Sequence, residues 1–564
     1  MGDQDLHRRR LIFISIFGGL IVLFFIAARV RSNLDSPQEE TGYLDRQFNA
    51  LQRNYYADLE KLVFAPRYSI SAAVDPLSGS VSGELDVVYT NTSQDTLSEV
   101  IFRLYPNAGA IYAGGSLTVT HIVQGEKAVQ SELFEEGTAL RVLLPQPLEP
   151  DQSTGLSLSF NAQIPTDSEH GYGIFSRTTG ILSLAGWYPI LAVYDHGWQA
   201  PPVPVVGDAL FAETSLYEVN LTLPAGFNLI STGTLVATDT VTSTVAAAPV
   251  DMQGLSNWLA SPGSTAGVPA TAGEIAVQQP VTWRMVSGPA REFAAAIVKD
   301  LETYETQVAG ITLRLHTSPA ASQNIPAEDA LEMLSASFSA YLDQFGPYPF
   351  TEFDLVEAPI SIGGYEFSGM VYVDESVRRS GLPSDYEYLV AHEVAHQWWY
   401  GLVGNRTVDE PWLDEAHATY GAVIYRWHAG SPDAGERLVV NWIQDTGMRQ
   451  PDDPPINSSA LEFTNWSPYR DTVYIRGALF LHELRGQIGD EKFIELLRQF
   501  QETQRYKIST TNDYLRMAEE LSGRDLDPLF EKWFVLGRVG VITNAPPGLV
   551  SQLLTALETS LDEQ

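Results

Sequence analysis

The chain has 564 residues, carries a formal net charge of −36 at pH 7 and contains no cysteine. That length exceeds what one ordinary hydrophobic core serves, so two or three domains are expected. The acidic balance disfavours binding to nucleic acid, whose phosphates attract basic proteins, and the lack of cysteine excludes disulfides, thiol catalysis and cysteine–zinc sites.

The first predicted element is a hydrophobic segment near the N-terminus. HRRR is followed by LIFISIFGGLIVLFFIAA, residues 11–28, which carries no charge. At about 1.5 Å per residue this run is just long enough to cross a bilayer. The basic flank before it predicts a cytoplasmic N-terminus and an extracytoplasmic remainder. We therefore predict a cytoplasmic tip and signal-anchor over residues 1–32, with a cleaved signal peptide and a secreted product as the alternative.

The next two regions differ in how their apolar and polar residues are spaced. Residues 33–63 have helix-friendly spacing and predict a stalk or leading helix. Residues 64–287 alternate apolar and polar side chains in short runs broken by turn signals, which predicts a β-sandwich-like domain. Within it, residues 240–275 are rich in Ala, Thr, Ser, Pro and Gly, a composition typical of a surface loop insertion.

The third region, residues 288–540, is predicted to be mixed α and β and to become mostly helical after Ser384. The segments AREFAAAIVKDLETYETQV and AEDALEMLSASFSAYLDQFG both have the apolar spacing of amphipathic helices. GITLRLHTS, FDLVEAPI and SGMVYVDES are typical of strands. The remaining residues, 541–564, are predicted to be a tail or a short helix.

Two histidines within this third region have metal-ligand spacing. His392 and His396 are four residues apart in HEVAH, so a helix places both imidazoles on one face, where they can share an ion. Ser384 followed by Glu387 has the form of a capping box, which predicts that a helix begins there. Glu393 lies about 100° around the helix from His392. It can act as a base towards water that the metal activates, without being a ligand.

A third ligand is available in the next predicted helix, PWLDEAHATYGAVIYRWHAG. Pro411 suits the first turn of this helix. Glu415 lies in that first turn, and two histidines with one glutamate is a known ligand set for catalytic zinc. On spacing alone, three other carboxylates compete for the third place: Asp409, Glu410 and Asp414. Imidazole and carboxylate ligands also suit cobalt or manganese.

HExxH followed, after eighteen residues, by the glutamate of WLDEAHATY resembles the gluzincin aminopeptidases of the aminopeptidase N and leukotriene hydrolase family. APISIGGYEFSGMVYVDES resembles the family's glycine-x-methionine-glutamate-asparagine strand, and TVYIRGALFLHEL resembles its tyrosine-containing helix start. DYLRMAEELSGRDLDPLFEKWF resembles the end of the catalytic unit. GELDVVYTNTS and IFRLYPNA resemble the N-terminal saddle domain. The resemblance covers about residues 65–535.

The resemblance implies a fold, a cofactor and a function. The fold is multidomain α+β, with an N-terminal saddle-like β-sandwich domain before a thermolysin-like catalytic domain that passes from α/β to helical. His392, His396 and Glu415 would hold one Zn2+ ion per chain. The implied function is a zinc-dependent aminopeptidase that acts on peptides, and no oligomeric state is predicted.

The resemblance also implies roles at the substrate. Glu393 would be the general base, and Tyr474 would donate its hydroxyl to the tetrahedral oxyanion. Glu366 would bind the free α-amino group, since a peptide without that ammonium leaves the carboxylate unpaired. A strand edge beside the peptide would be formed by Gly363, Gly364 and Tyr365.

Two departures from the family pattern leave rival functions open. Phe367 stands where the animal enzymes have asparagine, and no second acidic or amide residue stands out in the β-rich region. An endopeptidase of the same fold is therefore one alternative, and a non-catalytic peptide-binding or scaffold protein is another. The remaining residues near the motif are expected to be structural or to pack around the site: Trp398, Trp399, Trp412, His417, His428 and His482.

Overall fold

The computed structural model describes residues 37–534, except residues 167–170, 179, 241–278, 320–322 and 430–431. The predicted membrane segment, nearly all of the predicted loop insertion and the predicted C-terminal tail therefore lie outside the described residues. None of the helices inside the described ranges combines the length and the apolar character needed to cross a bilayer.

The strands in the described ranges are β1 (Arg67–Asp75), β2 (Ser80–Thr90), β3 (Leu97–Arg103), β4 (Ser116–Gln124), β5 (Lys127–Ala128), β6 (Ser131–Phe134), β7 (Ala139–Leu148), β8 (Ser153–Gln163), β9 (Phe175–Arg177), β10 (Ile181–Leu184), β11 (Ile190–Leu191), β12 (Val193–Tyr194), β13 (Trp198–Gln199), β14 (Ser215–Leu223), β15 (Asn228–Ser231), β16 (Thr234–Thr240), β17 (Val281–Ala290), β18 (Ala295–Val298), β19 (Glu302–Val308), β20 (Ile311–Thr317), β21 (Glu352–Ala358), β22 (Gly364–Phe367) and β23 (Met370–Asp374).

The α-helices in the same ranges are α1 (Pro37–Gln47), α2 (Gly109–Tyr112), α3 (Ala327–Gln344), α4 (Glu375–Ser380), α5 (Pro383–Ala395), α6 (Trp412–Ala429), α7 (Pro432–Asp445), α8 (Trp466–Tyr469), α9 (Gly477–Ile488), α10 (Asp490–Gln504), α11 (Thr511–Ser522) and α12 (Asp527–Trp533). A long 3-10 segment, Arg53–Leu62, follows α1 and continues the predicted leading helix. A π-helical segment, Arg470–Arg476, joins α8 to α9.

The N-terminal part of the described chain is a set of β-sheets around one core. An eight-stranded sheet has the order β16-β17-β14-β1-β2-β8-β4-β5, and two four-stranded sheets have the orders β15-β18-β10-β9 and β11-β3-β7-β6. Every second side chain of β1 is buried, from Tyr68 to Val74, as a strand with one face on a core requires. Val100 and Leu182, from the two smaller sheets, enter the same core. The predicted β-rich N-terminal domain is confirmed.

The predicted helix over AREFAAAIVKDLETYETQV is wrong, because this segment completes β17 and forms β18 and β19. Strand β18 pairs with β10 and β15, so the β-rich region continues to Val298, beyond the predicted boundary at residue 287. Strand β19 makes a hairpin with β20 in which Val308 lies opposite Ile311. The two residues between them, Ala309 and Gly310, have φ values of 51° and 83°. Positive φ at both positions is what a tight two-residue hairpin loop needs.

A five-stranded sheet lies between the β-rich region and the helices. Its order is β19-β20-β21-β23-β22, with β22 antiparallel at the edge. Leu355 and Val371 on one face belong to the core of the helical region. Val356 and Tyr372 on the other face belong to the core of the β-rich region. The predicted order of a β-sandwich-like domain followed by an α/β-to-helical domain is therefore confirmed.

Helix α5 carries the HEVAH motif, but it begins differently from the prediction. It starts at Pro383, preceded by Leu382, so the predicted capping box of Ser384 and Glu387 is wrong. The fixed φ of proline suits the first helical position, and its missing N–H costs nothing there. The hydroxyl of Ser384 donates to Asp385 at 3.3 Å instead. The helix then runs without interruption to Ala395, with His396 immediately after its last residue.

A buried ion pair joins α4 to the sheet. The Arg378 guanidinium donates from Nε to Glu357 at 2.5 Å, and both side chains are fully buried. Glu357 also accepts hydrogen bonds from Tyr386 at 2.7 Å and Thr317 at 2.5 Å. The next residue, Arg379, pairs with Glu375 at 2.7 Å on the surface.

The Arg378→Met substitution should lower the free energy of unfolding by about 3 to 5 kcal/mol, because it leaves the Glu357 carboxylate buried without its cation. The matched control, Arg379→Met, breaks a surface pair and should cost less than about 1 kcal/mol. Urea unfolding of both variants measures the two values. Equal destabilisation would contradict a structural role for the buried pair.

Candidate active site

Helices α5 and α6 bring the three predicted metal ligands together. The Nε2 atoms of His392 and His396 are 3.2 Å apart. Oε2 of Glu415 lies 3.3 Å from Nε2 of His392 and 3.4 Å from Nε2 of His396. Tetrahedral zinc with bonds of about 2.0 to 2.1 Å separates its ligand atoms by roughly 3.3 Å. The three donor atoms therefore fit around a single zinc ion.

The rest of the site orients these three side chains towards one another. His396 donates from Nδ1 to the carbonyl of Trp399 at 3.0 Å, and Nδ1 of His392 lies 3.4 Å from the hydroxyl of Thr419. These contacts direct both Nε2 atoms inwards, as second contacts of metal-binding histidines commonly do. Oε2 of Glu415 is buried and has no hydrogen-bond donor. A buried carboxylate oxygen facing two imidazoles is a suitable metal ligand.

The three competing carboxylates point elsewhere. Asp409 is half exposed and lies 3.6 Å from Arg406. Glu410 accepts the backbone N–H of Thr511 at 3.2 Å. Asp414 accepts hydrogen bonds from the Asn405 amide at 2.8 Å and from the backbone N–H of Glu415 at 3.0 Å. In the described residues, the donor atoms of His392 and His396 cluster with Glu415 and with none of these three.

The predicted amine anchor and general base lie beside the ligands. One donor atom each of Glu366, Glu393 and His396 falls within 4.8 Å of the other two. Oε1 of Glu366 and Oε2 of Glu393 are buried and accept no hydrogen bond. Burial raises the pKa of Glu393 to about 8. Burial also raises the pKa of Glu366 well above its usual range, and the nearby Asp208 carboxyl raises it further. A cation placed between them would favour the ionised form of both carboxyls.

The predicted substrate strand is an edge strand. Among the described strands β22 pairs only with β23, so no described strand pairs with its other edge. A side chain at Gly364 would overlap the carboxylate of Glu393, so only glycine lets the strand lie this close to helix α5. Gly363 continues the pairing, since its carbonyl accepts the N–H of Asp374 at 2.8 Å. An edge strand beside a carboxylate suits a peptide that binds as an added strand.

The alternation of β22 separates Glu366 from its two neighbours. Tyr365 and Phe367 enter the core of the β-rich region, on the face opposite the helices. Their rings lie 5.2 Å apart, and Phe367 also packs edge-on to Tyr372 at 5.2 Å. Phe367 therefore points away from the metal site. Tyr365 contributes backbone to the predicted edge, while its ring is packing.

Tyr474 lies against the metal ligands. It is part of the π-helical segment, whose extra residue per turn is frequent at functional sites. Its ring stacks on the imidazole of His392, with centroids 5.7 Å apart. Its hydroxyl donates to Oε1 of Glu415. A phenol in this place can donate to an oxygen that forms next to the metal site.

Asp208 was not predicted from the sequence as a site residue. This residue lies on the irregular segment between β13 and β14, and its side chain is almost fully buried. Burial raises the pKa of Asp208 well above its usual range, and the adjoining carboxyl of Glu415 raises it further. The preceding N–H, that of Gly207, donates to the hydroxyl of Tyr172 at 2.9 Å. Asp208 is thus an acidic residue that the β-rich region contributes to the site.

The other residues near the motif pack or make local hydrogen bonds. His417 bonds through Nδ1 to the carbonyl of Leu413 at 2.8 Å, and its ring lies 4.6 Å from that of Trp399. His482 lies 3.2 Å from the hydroxyl of Tyr420. His428 lies 3.6 Å from Asp343 on the surface. The three predicted packing residues are fully buried: Trp398, Trp399 and Trp412.

Comparisons with known proteins agree with this geometry. Residues 329–533 match the peptidase family M1 domain. Aminopeptidase N of Streptomyces lividans is 26% identical over 255 residues, which cover 42% of this chain and 29% of that protein. Aminopeptidase M1-C of Oryza sativa subsp. japonica is 24% identical over 283 residues, which cover 45% of this chain and 32% of that protein. The chain thus spans less than a third of the length of these relatives.

Solved structures resemble a larger part of the chain. The M1 zinc metallopeptidase from Deinococcus radiodurans aligns with a TM-score of 0.60 and 18% identity, covering 88% of this chain and 96% of that one. A variant of it bound to a Tyr-Ser-Ala substrate aligns with a TM-score of 0.57 and 19% identity, with the same coverage. At this identity the likeness concerns the fold. The match of residues 329–533 to the peptidase family M1 domain, together with these relatives, confirms the predicted resemblance to gluzincin aminopeptidases of the aminopeptidase N type.

Proposed function

We propose that this protein is a zinc-dependent aminopeptidase with one zinc ion per chain and peptides as substrates. The observation that carries the proposal is that the candidate metal ligands and the two predicted substrate-side carboxylates share one residue, His396. His392, His396 and Glu415 form a ligand set, and Glu366 and Glu393 approach the same His396. An anchor for a free amine, a base and a metal site thus adjoin one another.

The proposed mechanism assigns each residue one task. When bound, zinc supplies Lewis acidity and lowers the pKa of water to about 7. Glu366, with Asp208 nearby, binds the substrate ammonium, and the edge of β22 aligns the peptide backbone. Glu393 accepts a proton from the attacking water and delivers it to the leaving amine. The hydroxyl of Tyr474 donates to the oxyanion as the carbonyl becomes tetrahedral. Water attacks directly, so no covalent enzyme intermediate forms.

Replacement of the general base should separate metal binding from hydrolysis. Glu393→Gln keeps the size of the side chain but cannot take a proton from water, so kcat should fall by about 100-fold or more. Zinc content should stay at the wild-type level, because the ligand set is unchanged. Elemental analysis and hydrolysis of an aminoacyl fluorogenic substrate measure the two quantities. Full activity in this variant would refute Glu393 as the base.

Replacement of the amine anchor should change which substrates are cleaved. Glu366→Ala should lower kcat/KM for free-amine substrates by about 100-fold or more, since the ammonium loses its buried partner. N-acetylated versions of the same substrates should lose far less. Asp208→Asn should act in the same direction, because it removes the second carboxylate. Equal losses on free-amine and acetylated substrates would show that Glu366 and Asp208 do not recognise the free α-amino group.

We also propose that residues 11–28 anchor the protein as a single span, with the catalytic part extracytoplasmic. Support comes from the uncharged run and its basic flank, HRRR. The full chain should sediment with membranes and a fragment from residue 33 should stay in the supernatant. In spheroplasts or intact cells, added protease should degrade the catalytic part. Release of the full chain without detergent would favour the cleaved signal peptide.

A further inference from the structure

The turn that follows Glu366 is held by a buried amide. The side chain of Gln397 donates from Nε2 to the carbonyl of Phe367 at 3.0 Å. Its Oε1 accepts the backbone N–H of Gly369 at 2.8 Å. Gln397 is 1% exposed, so water does not compete for either bond. The residue between these two contacts is Ser368, and Glu366 is the residue immediately before them.

The same glutamine is next to a metal ligand. His396 precedes Gln397 directly, and its Nδ1 bonds to the carbonyl of Trp399 in the same turn of chain. One side chain therefore connects the backbone that carries His396 with the backbone that carries Glu366. Because both hydrogen bonds of the amide are to main chain, they fix backbone positions without depending on the neighbouring side chains.

A second pair of residues holds the turn from its other side. Oε1 of Glu292 accepts the N–H of Ser368 at 2.7 Å. The N–H of Arg291 donates to the Ser368 hydroxyl at 3.0 Å. Both residues lie in the segment between β17 and β18, and both are buried. The Phe367 ring, which points to the opposite face, takes no part in these contacts.

We propose that Gln397 is a positioning residue that sets the distance between the ammonium-binding carboxylate Glu366 and the metal ligands. In this chain the position of the anchor is fixed by hydrogen bonds to its following backbone, at a place where Phe367 offers no polar side chain. The proposal rests on the proposed aminopeptidase function and deepens it. It makes Gln397 a determinant of the preference for free N-termini, although it touches no substrate.

The chain contains a matched control for this amide. Gln47 donates from Nε2 to the carbonyl of Tyr217 at 3.0 Å and accepts the N–H of Gly288 at 2.9 Å. It is also fully buried. Its two bonds join α1 to the β-rich region and involve no residue of the site. Gln47→Met and Gln397→Met thus make the same change of side chain, and each removes one hydrogen bond to a carbonyl and one from a glycine N–H.

The experiment compares the two variants in the zinc-loaded full chain. Both should lose a similar part of the free energy of unfolding in urea, and both should keep the wild-type zinc content. Gln397→Met should raise KM for an aminoacyl substrate by about tenfold or more, because the anchor shifts relative to the metal site. Its kcat on the N-acetylated substrate should stay near the wild-type value. Gln47→Met should change neither quantity.

Two results would overturn the inference. One is an unchanged ratio of free-amine to acetylated activity in Gln397→Met. The other is an equal change of that ratio in Gln47→Met. If Gln397→Met does not fold, Gln397→Asn decides, because it keeps the amide but shortens its reach by one methylene and should give the same fall in the ratio. A wild-type protein without activity on free-amine substrates would refute the proposed function itself. In that case calorimetric binding of an amino acid amide to wild type and Gln397→Asn still tests the positioning role, and equal affinities refute it.

Discussion

The constraint on which the site depends is the repulsion among acidic side chains buried together. Five of them lie around two histidines: Asp208, Glu366, Glu393, Asp414 and Glu415. Removing a carboxylate from water costs several kcal/mol unless a cation or strong hydrogen bonds replace the lost hydration. Within the described residues, the only ion pairs of these five carboxylates are those of Glu415 with His392 and His396. In the proposed function, a bound metal dication and a substrate ammonium would supply the missing positive charges.

The five-stranded sheet positions one of these carboxylates, Glu366, next to another, Glu393. In β22, successive side chains point to opposite faces, so Tyr365 and Phe367 anchor the strand in the core of the β-rich region. That anchoring presents Glu366 to helix α5. Gly364 allows the strand to lie against Glu393. The β-rich region is therefore part of the site, because it packs the rear of the strand and also supplies Asp208.

Local spacing made the ligand set predictable. The i, i+4 relation of His392 and His396 is a property of helix geometry, and the following helix start marked Glu415 as one of four candidates. Spacing alone did not choose among the candidates: the family resemblance indicated Glu415, and the structure shows that Asp414 points towards Asn405 instead. The predicted helix before β20 failed for a similar reason. Its alanine-rich pattern fits both the helical and the strand period. The local feature that favoured strands was the Ala309–Gly310 hairpin signal.

Contacts between distant segments were beyond the reach of the sequence. Asp208 lies in an irregular stretch, APPVPVVGDALFAET, which has no period that would assign its side chain to a face. Glu292 meets Ser368 across more than seventy residues of chain. Gln397 was visible next to HEVAH, but its partners, the carbonyl of Phe367 and the N–H of Gly369, are backbone groups that no motif displays. Such residues are found only when the segments are placed side by side.

The most direct measurement of the central claim uses wild-type protein and a panel of aminoacyl fluorogenic substrates with their N-acetylated counterparts, each with and without a chelator. We expect the free-amine set to be cleaved far faster than the acetylated set, with loss of that cleavage in chelator and its return with added zinc. Cleavage of the acetylated set at a similar rate would contradict an aminopeptidase and favour an endopeptidase. No cleavage of either set by zinc-loaded protein would favour a peptide-binding scaffold.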